Sequence, residues 1–466
     1  MASLRFGGVG GSSDLQLADR VDALSLKEKG LAFPVMEMPP ELLVEVFHFA
    51  VSGDKPINPL FFGKICREWR SLAFSSCQLW QDLDLILKIE YHAQFILFEE
   101  WIARVGCLPI TISVADPFEV LRVDSKEDPL HACAQLINHI RSISPRISSL
   151  TLQRLPQTSL DLIARAEISP WSVLKELQVL SDTCGMRSQL PLDFSTATQL
   201  TTAIIRELYI SHVTLPWSQL LDLRLDGVLP SEIREALERS TNLLRLHAVG
   251  IVDTLEEGVD AALTQSALQH LTLSAQRNFN FAWGCEPFNT IRLPGLQTLE
   301  LEMGPKRPTA NERGLRRLRI YPGILLSGCD LTELSIECAA ILTPSFILCL
   351  AILPSLLHLR LLDNAWCQDE RDDPSSLGPE LMHAMTVTVE RPAKLPYLES
   401  LIFKGSVVSF APEVLVDFLE SRWGTPGTQP LRSVVFRSAG EVWLVKEEHR
   451  AAFGHWRERG FEVEVQ

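Results

Sequence analysis

The patterns that most function classes require are missing from this chain. None of its ten cysteines stands in a Cys-x-x-Cys pair, which argues against a zinc ribbon or a thioredoxin-type redox motif. There is no Asn-x-Ser/Thr sequon, and the opening stretch MASLRFGGVGGSS holds no apolar signal-peptide core. A reduced, intracellular setting, cytoplasm or nucleus, is the expectation. Positive charge is in short supply: 43 Lys and Arg face 58 Asp and Glu, for a formal net charge of −15. A sequence-independent nucleic-acid binder would need the opposite balance, gathered in a patch.

Long apolar runs are equally scarce. Cys338 to Leu359 holds no Asp, Glu, Lys or Arg, about the 20 residues of a membrane span. Pro344 and Pro354 interrupt it, so the expectation is a short buried helix over Phe346–Ile352 and then a strand, with no membrane span. No Gly-x-x-x-x-Gly-Lys phosphate loop, Gly-x-Ser-x-Gly elbow or His-Glu-x-x-His zinc helix occurs, and Gly7–Gly11 lacks the strand and the third glycine of a dinucleotide loop. The histidines are dispersed; His131 with His139, or His449 with His455, could share a region, but satisfied or exposed histidine is the plainer reading. The expectation is a non-catalytic chain with no metal and no cofactor.

What is present falls into two patterns. The first is Met38–Leu87, MPPELLVEVFHFAVSGDKPINPLFFGKICREWRSLAFSSCQLWQDLDLIL. Pro39-Pro40-Glu41 starts a helix, since proline suits the first turn and an acid there suits the dipole. Leu42, Leu43, Val46, Phe47 and Ala50 then fall on one helical face, and Gly53-Asp54 ends it. A second helix is expected from Leu60 to Ala73, with Phe61, Ile65, Cys66, Trp69 and Leu72 apolar at mixed spacing. About fifty residues bury too little surface to be very stable alone, so a partner or the following domain should share the load.

Met38-Pro39-x-Glu41-Leu42-Leu43-x-x-Val46-Phe47, Ile65-Cys66-Arg67-x-Trp69-Arg70 and Leu79-Trp80-x-x-Leu83 together resemble the F-box. The layout is most similar to the large group of fungal F-box proteins with irregular leucine-rich repeats. Family members usually carry Leu-Pro where this chain has Met38-Pro39, a mild departure because methionine fills a leucine-sized pocket. The resemblance implies docking on the adaptor subunit of a cullin–RING (SCF-type) ubiquitin ligase, and through it on a cullin. Carried over position by position, it assigns that docking to Met38, Pro39, Glu41, Leu42, Leu43, Val46, Ile65, Cys66 and Trp69.

The second pattern is apolar-x-x-apolar-x-apolar. It occurs as ISSLTL (147–152), LKELQV (174–179), IRELYI (205–210), LLDLRL (220–225), LLRLHA (243–248) and LQHLTL (268–273). It continues as LQTLEL (296–301), LRRLRI (315–320), LTELSI (331–336), LLHLRL (356–361), LESLIF (398–403) and LRSVVF (431–436). In a strand the last two apolar positions share a face, and the first anchors the chain entering it. One such strand cannot bury its own inner face, so neighbours stack into a parallel solenoid. The irregular spacing points to a degenerate leucine-rich-repeat arc, with parallel strands on the concave face and helices on the convex face. Trp80-x-x-Leu83-x-Leu85 and Pro109–Val114 are expected as earlier strands. Helices are expected over Ala93–Val105, Leu130–Ile143 and Leu415–Trp423. A helix through His449 and His455 and a closing FEVEV strand are expected to cap the array. The charged run 368–374 is expected as a solvated loop.

The fold class is therefore α/β. A weakly helical tail (1–33) and a small all-α F-box-like segment (34–79) precede the repeat domain (80–466). Open-face strand residues include Glu176, Gln178, Glu207, Tyr209 and Asp222. They continue as Arg224, Arg245, His247, His270, Arg317, Arg319, His358 and Arg360, against Glu300 and Glu333. From Arg224 onward cations are in excess; they read either as solvated strand residues or as a surface for an acidic or phosphorylated target segment. With the family resemblance, the implied role is substrate recognition for the ligase. The alternative is an interaction scaffold in which the F-box-like segment only caps the solenoid.

Overall fold

In a computed structural model, the structure describes residues 38–53, 57–87, 91–115, 129–155, 159–160, 163, 170–181, 192–252, 261–275, 290–303, 328–337, 343–362, 379–388, 394–405, 411–423, 428–429, 431–438, 454, 457 and 462–465. The tail, the run 368–374, most of the helix proposed around His449 and His455, and the repeat 315–320 lie outside them. The fold is α/β with parallel strands, and it divides into two compact units: residues 1–200 with 211–216, and residues 201–210 with 217–466.

Unit 1 begins with helix α1 (Pro40–Ser52), which carries proline at its first position and Glu41 in its first turn. Leu43 and Phe47, one turn apart, are its buried residues. The single second helix expected from Leu60 to Ala73 is instead broken. Pro59–Lys64 forms a 3-10 turn, started by Asn58, whose side chain accepts from the Leu60 amide at 2.9 Å. Cys66 is then extended (φ −153°, ψ 174°), and its Sγ accepts from the Trp69 amide to start α2 (Arg67–Ser75). The break lets Phe62 stack on Phe47, with ring centroids 4.0 Å apart.

A 3-10 turn, Cys77–Trp80, leads into β1 (Asp82–Ile86), followed by α3 (Tyr91–Val105), β2 (Ile110–Ala115), α4 (Pro129–Ser142), β3 (Ile147–Gln153) and β4 (Glu176–Leu180). These four strands pair in parallel in that order. Their alternation sends Leu83 and Leu85, Ile112 and Val114, Leu150 and Leu152, and Leu177 and Val179 into the core, as a period of two requires. A short parallel pair, Leu192–Asp193 with Val213–Thr214, completes the unit.

Unit 2 continues the same construction through β5 (Thr202–Arg206), β6 (Asp222–Asp226), α5 (Pro230–Arg239), β7 (Arg245–Ile251), β8 (His270–Ala275) and β9 (Thr298–Met303). Then come β10 (Glu333–Glu337), α6 (Thr343–Ala351), β11 (His358–Leu362), α7 (Pro379–Met385), β12 (Ser400–Gly405), α8 (Pro412–Arg422), β13 (Ser433–Ser438) and β14 (Glu462–Val465). Each strand pairs in parallel with the next. A second short parallel pair, Leu263–Thr264 with Ile291–Arg292, lies between the larger elements. Of α6, Phe346 and Leu350 are buried while Leu348 is exposed, so this helix is covered on one face only.

The chain entering a strand is held by the first leucine of its motif. Leu220, Leu243, Leu296, Leu356 and Leu398 are fully buried, and each amide donates to the carbonyl three residues earlier. The two amides after that leucine then share one carbonyl of the preceding coil. Leu357 and His358 donate to Thr332, and Glu399 and Ser400 donate to Leu357. Burial of one such leucine contributes roughly 1.5–3 kcal/mol before chain entropy is subtracted.

One of the twelve repeats is placed differently from the sequence reading. At the third, the strand is Thr202–Arg206, with Ala203 and Ile205 inward. The working motif there is Leu200-x-x-Ala203-x-Ile205, five residues before IRELYI. An alanine in the middle apolar place concealed it. The repeat LRRLRI lies outside the described residues. Strand β9 pairs directly with β10, and Thr332 and Glu333 donate to Gln297 of the coil before.

Candidate functional site

Two surfaces of the chain carry unspent binding capacity. On α1, Leu43 and Phe47 turn inward, while Leu42 (56% exposed), Val46 (51%) and Phe49 (79%) form a second apolar stripe at i, i+4 and i+7 that faces solvent. Phe61 and Ile65, on and just after the following 3-10 turn, are exposed as well. A helix apolar on two faces, one of them open, is suited to a partner rather than to its own core.

Of the residues assigned to docking, Pro39, Glu41, Leu42, Val46 and Ile65 are exposed and Met38 is half-buried. Leu43, Cys66 and Trp69 have inward roles. Leu43 is core, Cys66 caps α2, and the half-buried Trp69 packs against Phe47 at 4.8 Å and Phe62 at 6.3 Å. Phe49 and Phe61 were missed. The signal for Phe49 was its place one turn after Val46, which the reading of a single helical face passed over.

This exposed stripe is held on a firm base. Trp80 is fully buried; its Nε1 donates to the Ala73 carbonyl at 2.8 Å, and its own carbonyl accepts from Trp101 Nε1 at 2.6 Å. Its ring packs edge-on to Phe74 and Trp101, with the Arg104 guanidinium over Phe74 and Trp80. The helical segment is thereby bonded to α3 of its own unit, and the chain runs from it directly into β1.

The second surface is the open face of the unit 2 sheet. Register places Asp222, Arg245 and His270 on one rung and Arg224, His247 and Thr272 on the next. Here the expected run of available arginines is corrected. Arg245 Nε donates to Asp222 at 2.8 Å, Arg224 Nε to Asp226 at 2.9 Å and Arg206 Nε to Asp226 at 3.2 Å. Three guanidinium groups share two carboxylates, so the charge on β5–β7 is largely matched from within. Adjacent strands bring side chains about 5 Å apart, closer than the sequence separation of 23 between Asp222 and Arg245 suggested.

Arg317 and Arg319 lie outside the described residues. Glu207 and Tyr209, expected on the open face, follow β5 instead of belonging to it. Glu207 is in the left-handed region (φ 55°), where it ends the strand with its amide on the Asp226 carbonyl. His358 and Arg360 are exposed on β11, as read, while His247 and His270 are half-buried.

The open face of unit 1 is uncharged in its middle and acidic at its edges. Asp82 and Asp84 stand on β1, Thr111 and Ser113 on β2, Ser149 and Thr151 on β3, and Glu176 and Gln178 on β4. Withdrawal from water, and next the charge of Asp82, push the Asp84 carboxyl above the usual carboxylate range, against a hydrogen bond with Ser113. Of the histidine pairs, His139 meets Phe95 and Phe98 edge-on. Among the described residues, no three His, Cys, Asp or Glu side chains gather as a metal site would require. No described helix is long and apolar enough to cross a membrane.

Compared with known proteins, the chain matches no family model and no curated protein.

Proposed function

We propose that this chain is a substrate-recognition subunit of an SCF-type cullin–RING ubiquitin ligase, a non-catalytic part that supplies proximity and orientation. The helical segment would dock on the adaptor subunit, and the repeat-like sheet of unit 2 would hold the target. The observation that carries this is the second apolar stripe of α1. Leu42, Val46 and Phe49 point outward from a helix whose inner stripe already satisfies the core. The F-box resemblance of Met38–Leu83 names the partner for that stripe. The leucine-rich-repeat character of the sheet rests on its parallel ladder and on the buried leucine before each of β6–β13.

A scaffold whose helical segment merely caps the sheet is the rival reading, and the bonding of Trp80 to Trp101 favours it. A cap, however, has no use for an open apolar stripe. Capture of the purified adaptor subunit by the full chain separates the two. Leu42→Asp with Val46→Asp should abolish capture and leave the circular dichroism melt unchanged, because both side chains are exposed. No capture by the intact chain, or capture unaffected by the double substitution, would favour the scaffold.

A further inference from the structure

On β5–β7 every arginine of the open face has a carboxylate beside it. Four strands further along, the charges are separated instead. On one rung the register runs Glu302 of β9, Glu337 of β10, Leu362 of β11 and Lys404 of β12. On the same face Arg360 of β11 lies one rung away, and Glu333 of β10 two rungs away. Among the described residues, none of these five charged side chains has an ion-pair partner. Two carboxylates directly opposed on neighbouring strands repel, so this part of the face is improved by a cation from outside. Arg360 and Lys404, with the half-buried Leu362 between the two signs, are improved by an anion.

We propose that β9–β12 form a charge-polarised docking strip for an extended protein segment that carries a basic residue, then apolar contact, then an acidic residue. The proposal rests on unit 2 being the part that holds the target, and it is independent of adaptor docking. The spacing follows from the sheet. Glu337 and Lys404 are two strands apart, about 10 Å at roughly 4.8 Å per strand. A segment in polyproline II conformation places residues i and i+3 on one side, about 9 Å apart. The matching sequence is basic-x-x-acidic. A purely acidic or phosphorylated segment would satisfy Arg360 and Lys404 but be repelled by Glu302, Glu333 and Glu337.

The test is a selection on the immobilised full chain from a random dodecamer library displayed on phage, with no adaptor present. Enrichment of basic-x-x-acidic sequences is expected. Glu302→Gln with Glu337→Gln should remove the basic preference, and Arg360→Gln with Lys404→Gln the acidic one. Binding of a selected synthetic peptide should weaken at least tenfold in each variant and fall steeply with salt. These neutral changes lie on the open face, and an unchanged thermal midpoint shows that the fold is kept. No enrichment, enrichment of acidic sequences alone, or a bias that survives both substitutions overturns the proposal. Because the adaptor is absent, such a failure leaves the capture experiment on Leu42 and Val46 unaffected.

Discussion

Single residues here show where burial and charge conflict. Arg422, the last residue of α8, is 1% exposed; one guanidinium nitrogen donates to the Leu395 carbonyl at 2.8 Å, while its Nε and the other terminal nitrogen have no partner among the described residues. Loss of hydration brings its pKa down to about 10. A buried cation with unmatched donors costs more than it contributes, and an apolar side chain of similar length removes that cost. Arg422→Met is therefore expected to raise unfolding stability by about 1–3 kcal/mol, read from denaturant midpoints. A loss of stability would show that the bond to Leu395 and the ring contact with Phe418 dominate.

Asp84, at an exposed position on β1, shows a milder conflict, in which partial loss of hydration and the neighbouring Asp82 disfavour its charge. Its folded-state pKa lies above the unfolded value, so the native state holds the proton more tightly. Stability is thus greatest below the unfolded pKa and declines as pH rises through the folded one. Asp84→Asn should remove that decline. The variant's urea midpoint should exceed the parent's near pH 7, and the two should converge near pH 3. Parallel midpoint curves across this range would refute the assignment.

At the level of elements, Trp80 joins two kinds of structure. Its ring and the bond its carbonyl accepts from Trp101 tie a helical segment with little core of its own to α3. Trp80→Ala should cost about 3–5 kcal/mol and loosen the segment 38–80 in hydrogen exchange more than the strands of unit 2. Uniform protection loss across the chain would mean that the segment has no separate stability. Strand exits follow a rule too. Arg154, Glu207 and Gly227 each take a left-handed φ and donate to the next strand. Gly227 is best as glycine because its φ of 72° is one that other residues rarely adopt; the nearby Glu207 carboxylate is a flexible end that moves aside more easily.

For the whole molecule, most of the architecture was legible because it is periodic. The alternation of Leu150 with Leu152, or Leu359 with Leu361, follows from the pleat alone, and the buried leucine before each of β6–β13 follows from the need to cover a one-sided sheet. The exceptions have local causes. Cys66 split a helix because a thiol at an extended residue capped a new one, which apolar spacing does not register. Ala203 concealed a strand by being small. Of the docking stripe, Leu42 and Val46 were named from the resemblance, whereas Phe49 needed the second face of α1 to be seen.

What the sequence by itself determined is the α/β class, nearly all of the strands and the inward face of each. These depend on residues within six positions of one another. Which charges meet across the open face was decided by tertiary structure alone. Register brings Asp222 to Arg245 and Glu302 to Glu337 across loops of unequal length, and a shift of one position would replace every such neighbour. That is why an arginine-rich list in the sequence became, in the folded sheet, a region of matched pairs followed by a strip of separated charge.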